Sequence, residues 1–288
     1  MQKVSNRRPP PALGRRTLIA AASLLVAAAR TAPAAAKATN GEVELAIRNL
    51  VIANRILAHE NVVDAYGHVS VRHPLNPQHY LLARSRSPEQ VEVGDIIEYT
   101  LDGVAIDDNR PPYLERFIHG GIYEARADIN AVVHAHSEDV LPFTISTTKL
   151  KPVIHDGAFI GAEVPVWDIA DKFGNATNLL VTNMAQGRDL ARRLAGNSMV
   201  LMRGHGFAAA APSLFEVVRL AVYAPKNAHV FQDALRLGGE VKPLSEGEIA
   251  TRLGEPSLKP DAPAAKRAWE YWARRAGVAD LLPPQPGK

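Results

Sequence analysis

Apolar positions along this chain fall into runs of helical and of alternating spacing. From Glu42 to His59, the residues Leu45, Ile47, Leu50, Val51, Ile56 and Leu57 form a stripe that predicts an amphipathic helix. Tyr66-Gly67-His68-Val69-Ser70-Val71-Arg72-His73 alternates and predicts a strand, and Tyr80-Leu81-Leu82-Ala83 a second, shorter one. Ile96-Ile97-Glu98-Tyr99, then Asp102-Gly103, then Val104-Ala105-Ile106 has the form of a hairpin. Pro111-Pro112 predicts a helix opening at about Tyr113 and running to Ala127, because proline is tolerated in a first helical turn. A strand is predicted through Val132, Val133 and His134. Val153-Ile154 and Val164-Pro165-Val166 are short apolar pieces. Leu179-Leu180-Val181 predicts a strand, Gly187 to Ala195 a helix, and Val200-Leu201-Met202 another strand. Leu214 to Leu237 predicts a long helix that Pro225 should kink. Pro263 to Ala276, carrying Trp269, Tyr271 and Trp272, predicts a last helix before a proline-rich tail. Helices flanking a mixed sheet predict an α/β layered domain. Neither an internal repeat nor a glycine-rich phosphate loop stands in the sequence.

The first 38 residues read as an export signal rather than as fold. Arg15-Arg16 precedes the apolar run Thr17 to Ala29, which is short for a permanent membrane span. Ala34-Ala35-Ala36 and Ala36-Lys37-Ala38 both suit signal peptidase. The pattern Gly14-Arg15-Arg16-Thr17-Leu18-Ile19 is of twin-arginine type and predicts a periplasmic or exported protein without a permanent anchor. The expected organisation is a signal over 1–38, one main domain over 39–260, and a C-terminal helix with its tail over 261–288.

Removing the signal changes the charge argument. The whole chain is formally +3. Seven of its 33 lysines and arginines, and none of its 30 acidic residues, lie in residues 1–38, so the remainder is net acidic. The basic character therefore belongs to the signal and gives no support to nucleic-acid binding. The chain has no cysteine, which excludes thiolate ligands, a cysteine nucleophile and disulfides. About 250 residues remain, enough for one large domain.

The candidate chemistry is carried by histidines. His134-Ala135-His136 lies in a predicted strand, so the two imidazoles point the same way, close enough to share one ion. Gly204-His205-Gly206 ends a second apolar run, and its glycines let the backbone turn there. Three neutral imidazoles with an open fourth position describe a catalytic metal site. Glu115 is the matching general acid/base. His119, four positions on, shares its helical face.

The spacing Glu115…His134-x-His136…His205, with Gly67-His68-Val69-Ser70-Val71-Arg72 and Ile122-Tyr123-Glu124-Ala125-Arg126, resembles the class II aldolase/adducin family over roughly Glu42 to Leu237. The resemblance implies a three-layer α/β/α sandwich around a mixed, largely antiparallel sheet. It also implies a homotetramer with the metal near a subunit interface, and one divalent ion per subunit. Zinc comes first for that ion, with manganese, cobalt or iron in some branches. Its metal histidines fall on His134, His136 and His205, and its catalytic acid on Glu115.

Departures from the family's sugar-phosphate members narrow the chemistry. Those members have Asn at the place of His68, Thr-Gly at about Arg84-Ser85 and Ser-Ser at Tyr113-Leu114, small polar groups that hold a phosphate. His68 and Leu114-Glu115 resemble instead the family's pyridine-dicarboxylate and hydroxyaromatic-acid decarboxylases. The expected activity is a metal-dependent carbon–carbon lyase, a decarboxylase of a small non-phosphorylated hydroxy or aromatic carboxylic acid, working through a metal-stabilised enolate. The alternatives are retro-aldol cleavage of a hydroxy-carbonyl compound and a non-catalytic adducin-like interaction module. His68, Arg84 (or Arg86), His119 and His155 are the candidate substrate contacts, with Tyr271 a more distant one.

Overall fold

Along the chain the elements are α1 (Asn40–His59), β1 (His68–Arg72), β2 (His79–Ala83), β3 (Ile96–Thr100), α2 (Arg116–Ala125), β4 (Ala131–Ala135) and α3 (Leu141–Ile145). They continue with β5 (Val166–Trp167), α4 (Ala170–Phe173), α5 (Met184–Leu194), β6 (Met199–Met202), β7 (Gly206–Ala211), α6 (Leu214–Arg236), α7 (Glu246–Leu253) and α8 (Pro263–Arg275). The structure is a computed structural model that describes residues 40–283, so the expected export signal and the end of the tail lie outside the described residues. No described helix is long and apolar enough to cross a membrane.

The strands form one seven-stranded sheet in the order β3-β2-β1-β4-β7-β6-β5. Every pairing is antiparallel except the short parallel pair β5–β6. Side chains alternate between the two faces, as strand geometry requires. Val69, Val133, Leu201 and Ala209 join the core shared with α1, α6 and α8. Val132, Val200, Ala208 and Ala210 join the core under α2 and α5. Helices therefore cover both faces, giving the expected three-layer α/β/α sandwich. α8 belongs to the first core through Trp272 and Ala273, both buried.

α2 and α5 cross with their backbones nearly touching. A Cβ on Gly121 would lie 2.5 Å from the Gly187 carbonyl carbon, and one on Gly187 would lie 2.1 Å from Phe117 O. Only glycine fits at such an approach. The crossing seats α2, and with it Glu115, against the sheet.

Several expected elements differ. The helix expected from Tyr113 begins at Arg116, with Glu115 at its N-cap (φ −91°, ψ 17°). The preceding segment is held elsewhere: Arg84 bridges to Pro112, and Tyr113 OH donates to Arg86 O. Leu179–Val181 is not a strand. Thr177 Oγ1 and Asn178 Oδ1 accept the amides of Leu179 and Leu180, so local side-chain bonds take what a ladder would need. Val104–Ile106 forms a single bridge, Tyr99 to Ala105, rather than a full strand. α5 starts three residues before Gly187, where Asn183 Oδ1 accepts the Gln186 amide as an N-cap. β7 was not expected: its sequence, Gly206-Phe207 and four alanines, has weak strand preference, but ladders to β4 on one side and β6 on the other override it. α7, with its Ser245/Glu248 capping box, was not expected either.

Candidate metal centre

β1 and β4 set His68 directly opposite His134 in their antiparallel ladder. His134 is fully buried, and His136 follows it just past the end of β4. His205 sits in the tight turn joining β6 to β7, where its amide donates to Met202 O. Gly204 occupies the left-handed region there at φ 64°, and its amide donates to Thr144 Oγ1. Gly206 allows β7 to approach β4: a Cβ there would lie 2.1 Å from Ala135 O.

These placements bring four donor groups together. His134 Nε2 is 2.9 Å from His136 Nε2, which is 3.1 Å from His205 Nε2. Glu115 Oε2 is 3.4 Å from the Nε2 atoms of both His134 and His205. The ligand atoms of all four residues lie within 4.8 Å of one another. The outer nitrogens show which inner atoms carry lone pairs. His134 Nδ1 donates to Phe207 O at 3.0 Å, and His136 Nδ1 lies 3.1 Å from Asp64 Oδ2. Neutral rings so held present bare Nε2 atoms to each other. Two bare nitrogens cannot hydrogen-bond, so their close approach calls for a shared cation. A tetrahedral ion with nitrogen ligands at its usual bond length separates them by about 3.3 Å, close to the spacing found. The residues fit a divalent metal, held by the three imidazoles, with Glu115 facing the same point.

Electrostatics agree. Burial pushes the Glu115 carboxyl up, but His134 and His205 outweigh it and hold the group below the usual carboxylate range. A cation at the same nitrogens acts in the same direction. The Val181 amide donates to Glu115 Oε1 at 2.9 Å, which leaves Oε2 turned to the histidines. Burial, followed by the neighbouring His134, lowers the His136 pKa, which favours the neutral ring that a metal needs.

His68 and His119 are both buried, and they bond each other, His68 Nδ1 to His119 Nε2 at 2.6 Å. The His68 ring lies 5.2 Å from that of His134 and 4.6 Å from that of Tyr113, centre to centre. His119 is thus joined to the centre through His68 rather than through a shared face with Glu115. Arg84 Nε donates to Asp95 Oδ1 at 2.7 Å, and Arg86 Nη1 donates to the other oxygen of that carboxylate at 2.8 Å. His155 stands apart from the four donors, 71 % exposed and beside Asp156. Tyr271 is exposed and contacts Arg275, whereas Trp272 is in the core. Sequence reasoning missed Asp64, the Phe207 carbonyl and the Val181 amide. Each lies 66 or more positions from the side chain it serves, and two of the three are backbone groups with no sequence signature.

Comparisons with known proteins bear on most of the chain. Residues 48–231 match the family described as Class II Aldolase and Adducin N-terminal domain. The chain is 35 % identical to "Decarboxylase tropJ" of Talaromyces stipitatus over 84 % of its own length and 98 % of that protein's. It is 29 % identical to the 3,4-dihydroxyphthalate decarboxylase of Arthrobacter keyseri, over 70 % of this chain and 83 % of that one. Among solved structures, an aldolase II superfamily protein from Pseudomonas syringae superposes with a TM-score of 0.67 at 20 % identity, covering 84 % of this chain and 96 % of that one.

Proposed function

The chain belongs to the class II aldolase and adducin family, in its decarboxylase-like branch, and is a lyase; from that premise we propose that it is a divalent-metal-dependent carboxy-lyase acting on a small, non-phosphorylated hydroxy or aromatic carboxylic acid. One observation carries the reading: three imidazole nitrogens and Glu115 Oε2 converge on one point in a chain that aligns with nearly all of a protein named a decarboxylase.

His134, His136 and His205 would hold the ion. When bound, a divalent ion offsets negative charge on a substrate oxygen and so stabilises, as an enolate, the electron pair left when the C–C bond breaks. Glu115, ionised and fixed by the Val181 amide, takes the proton of a substrate hydroxyl. Glu115 returns that proton to the carbon that bears the carboxylate, which leaves a carbonyl where the hydroxyl stood; the bond to the carboxylate then breaks, its electron pair moves onto that carbonyl oxygen, and carbon dioxide leaves. The substrate oxygen is reprotonated from water.

Zinc as the resident ion, assembly as a homotetramer and export by the amino-terminal signal belong to the same proposal. They rest on the donor set, on the family resemblance and on Arg15-Arg16 with its apolar run. The test is metal-reconstituted protein incubated with hydroxybenzoates and dihydroxyphthalates while carbon dioxide is measured, with His136→Ala alongside. Carbon dioxide released by wild type alone supports the reading. An aldehyde product would transfer it to aldol cleavage, and a protein that takes up no metal would favour an interaction module.

A further inference from the structure

Four buried polar groups form one hydrogen-bonded line behind the metal centre. Tyr123 OH lies 2.8 Å from Ser70 Oγ, and Ser70 Oγ lies 2.6 Å from His119 Nδ1. His119 Nε2 lies 2.6 Å from His68 Nδ1. None of the four residues is more than 2 % exposed, the most exposed being His68 at the line's open end. The line follows from local geometry. His68 and Ser70, two apart in β1, share one face of the sheet. His119 and Tyr123, four apart in α2, share the helical face packed over it.

Each member has one proton to place, and the far end of the line decides where all of them go. Among the described residues, the Tyr123 hydroxyl has one hydrogen-bond acceptor within reach, Ser70 Oγ. A buried donor without an acceptor bears its full desolvation cost, so Tyr123 donates to Ser70. The Ser70 hydrogen then goes to its other partner, His119 Nδ1, which must be bare. The His119 proton is therefore on Nε2 and is donated to His68 Nδ1. That leaves the His68 proton on Nε2. A ring nitrogen that accepts a hydrogen bond carries no proton, so His119 and His68, each accepting at Nδ1, hold a single proton apiece. The opposite polarity would strand the tyrosine hydrogen in the core.

His68 Nε2 accepts or donates no hydrogen bond among the described residues, and it is not one of their sealed, unpartnered atoms. Its ring lies beside His134, across the ladder. We propose that Tyr123, Ser70 and His119 fix His68 as an Nε2–H donor that hydrogen-bonds an anionic oxygen of the substrate, a carboxylate or phenolate, next to the metal ligands. The polarity rests on the hydrogen bonds alone, whereas the substrate class rests on the decarboxylase reading. A ring so held offers no outward lone pair. It can serve neither as a base nor as a further metal ligand, although it stands opposite one. A carboxylate, which only accepts, is its complement.

Metal-loaded protein labelled with 15N-histidine tests this. Long-range proton–nitrogen correlation separates bare from protonated ring nitrogens, and the spectrum of His68→Gln assigns the His68 signals. We expect His68 and His119 both protonated at Nε2, and both rings becoming tautomer mixtures in Tyr123→Phe. Benzoate is the binding probe, followed by calorimetry. His68→Gln keeps an N–H in place and should bind within about threefold of wild type, whereas His68→Phe should bind about tenfold or more weakly. His68 protonated at Nδ1, or tautomers unmoved by Tyr123→Phe, would overturn the chain's role. Equal benzoate binding by His68→Phe would overturn the recognition role. If tautomers and benzoate binding are as expected but no carboxylic acid loses carbon dioxide, the decarboxylase reading fails and the donor assignment stands.

Discussion

His136 Nδ1 faces the Asp64 carboxylate, 3.1 Å from Oδ2 and 3.2 Å from Oδ1. The carboxylate orients the ring and raises the basicity of the nitrogen that would meet the proposed metal. Asp64 Oδ1 also accepts the amides of Tyr66 and Gly67, so it shapes the loop as well. Asp64→Asn can keep its oxygen on those amides, but it loses the charge and turns an NH2 donor toward His136 Nδ1 in place of the accepting Oδ2. It should weaken metal binding by about 10- to 100-fold while thermal stability of the metal-free protein barely moves. Chelator competition measures the first and a melting scan the second. Unchanged metal affinity would show that the pair is incidental.

Ligand and acid/base roles separate by mutation. His136→Ala should lose metal and activity together. Glu115→Gln should keep close to one metal per chain and lose turnover by about 10²- to 10⁴-fold. Gln can still accept the Val181 amide through its carbonyl oxygen, so the fold around it should hold. Elemental analysis beside turnover decides the matter, and full activity in Glu115→Gln would remove its assigned role.

The parts of this site that the sequence reveals are those set by short-range geometry. His134 and His136 share a side because a strand repeats every two residues, and His205 turns inward because Gly204 tolerates φ 64°. The α/β layered class followed from helices and strands whose stripes match their periods, and the three-layer sandwich from the family resemblance. What stayed hidden depends on contacts between distant segments. Leu179-Leu180-Val181 is apolar enough for a strand, yet its amides serve side-chain caps and Glu115. The alanines of β7 show no strand preference and are strand only because β4 and β6 flank them. Arg84 reads as a free cation for a carboxylate until the fold brings Asp95 to it.

Buried neutral histidines make stability depend on pH in a definite direction. Burial, with His134 contributing, lowers the His119 pKa to about 3, against about 6.5 for an exposed ring. The unfolded chain therefore takes up a proton between those values and the folded chain does not. Stability from this group is complete above about pH 6.5 and is lost as the pH falls toward 3, by about 1.4 kcal/mol per pH unit. His68 acts in the same direction. Urea unfolding of chelator-treated protein at pH 7.5 and 5.5 should show a drop in wild type that is about 1 kcal/mol smaller in His119→Gln. Equal drops would mean that His119 is protonated in the fold.

The two glycines around His205 should fail in different ways. At Gly204 the difficulty is conformational. The backbone is left-handed, but a Cβ would meet nothing nearer than Leu179 Cδ1 at 3.8 Å. Gly204→Ala should therefore cost about 1–2 kcal/mol of stability, and Gly204→Asn less, with metal affinity nearly intact. At Gly206, whose φ of 156° is also unfavourable for an L residue, the larger difficulty is space. A Cβ would stand 2.1 Å from Ala135 O and 3.1 Å from His136 Cα, both backbone atoms of the segment that carries the other two ligands. Backbone cannot swing aside as a side chain can, so Gly206→Ala must push β7 away from β4. That cost is about 1–3 kcal/mol for overpacking, and it carries His205 away from His134 and His136. A metal site tolerates little error in ligand position, so affinity should fall more than tenfold. Melting scans and chelator competition on both variants would show stability lost at both positions and metal lost mainly at Gly206. Equal metal loss at both would mean that the turn conformation, rather than the approach of β7 to β4, sets the position of His205.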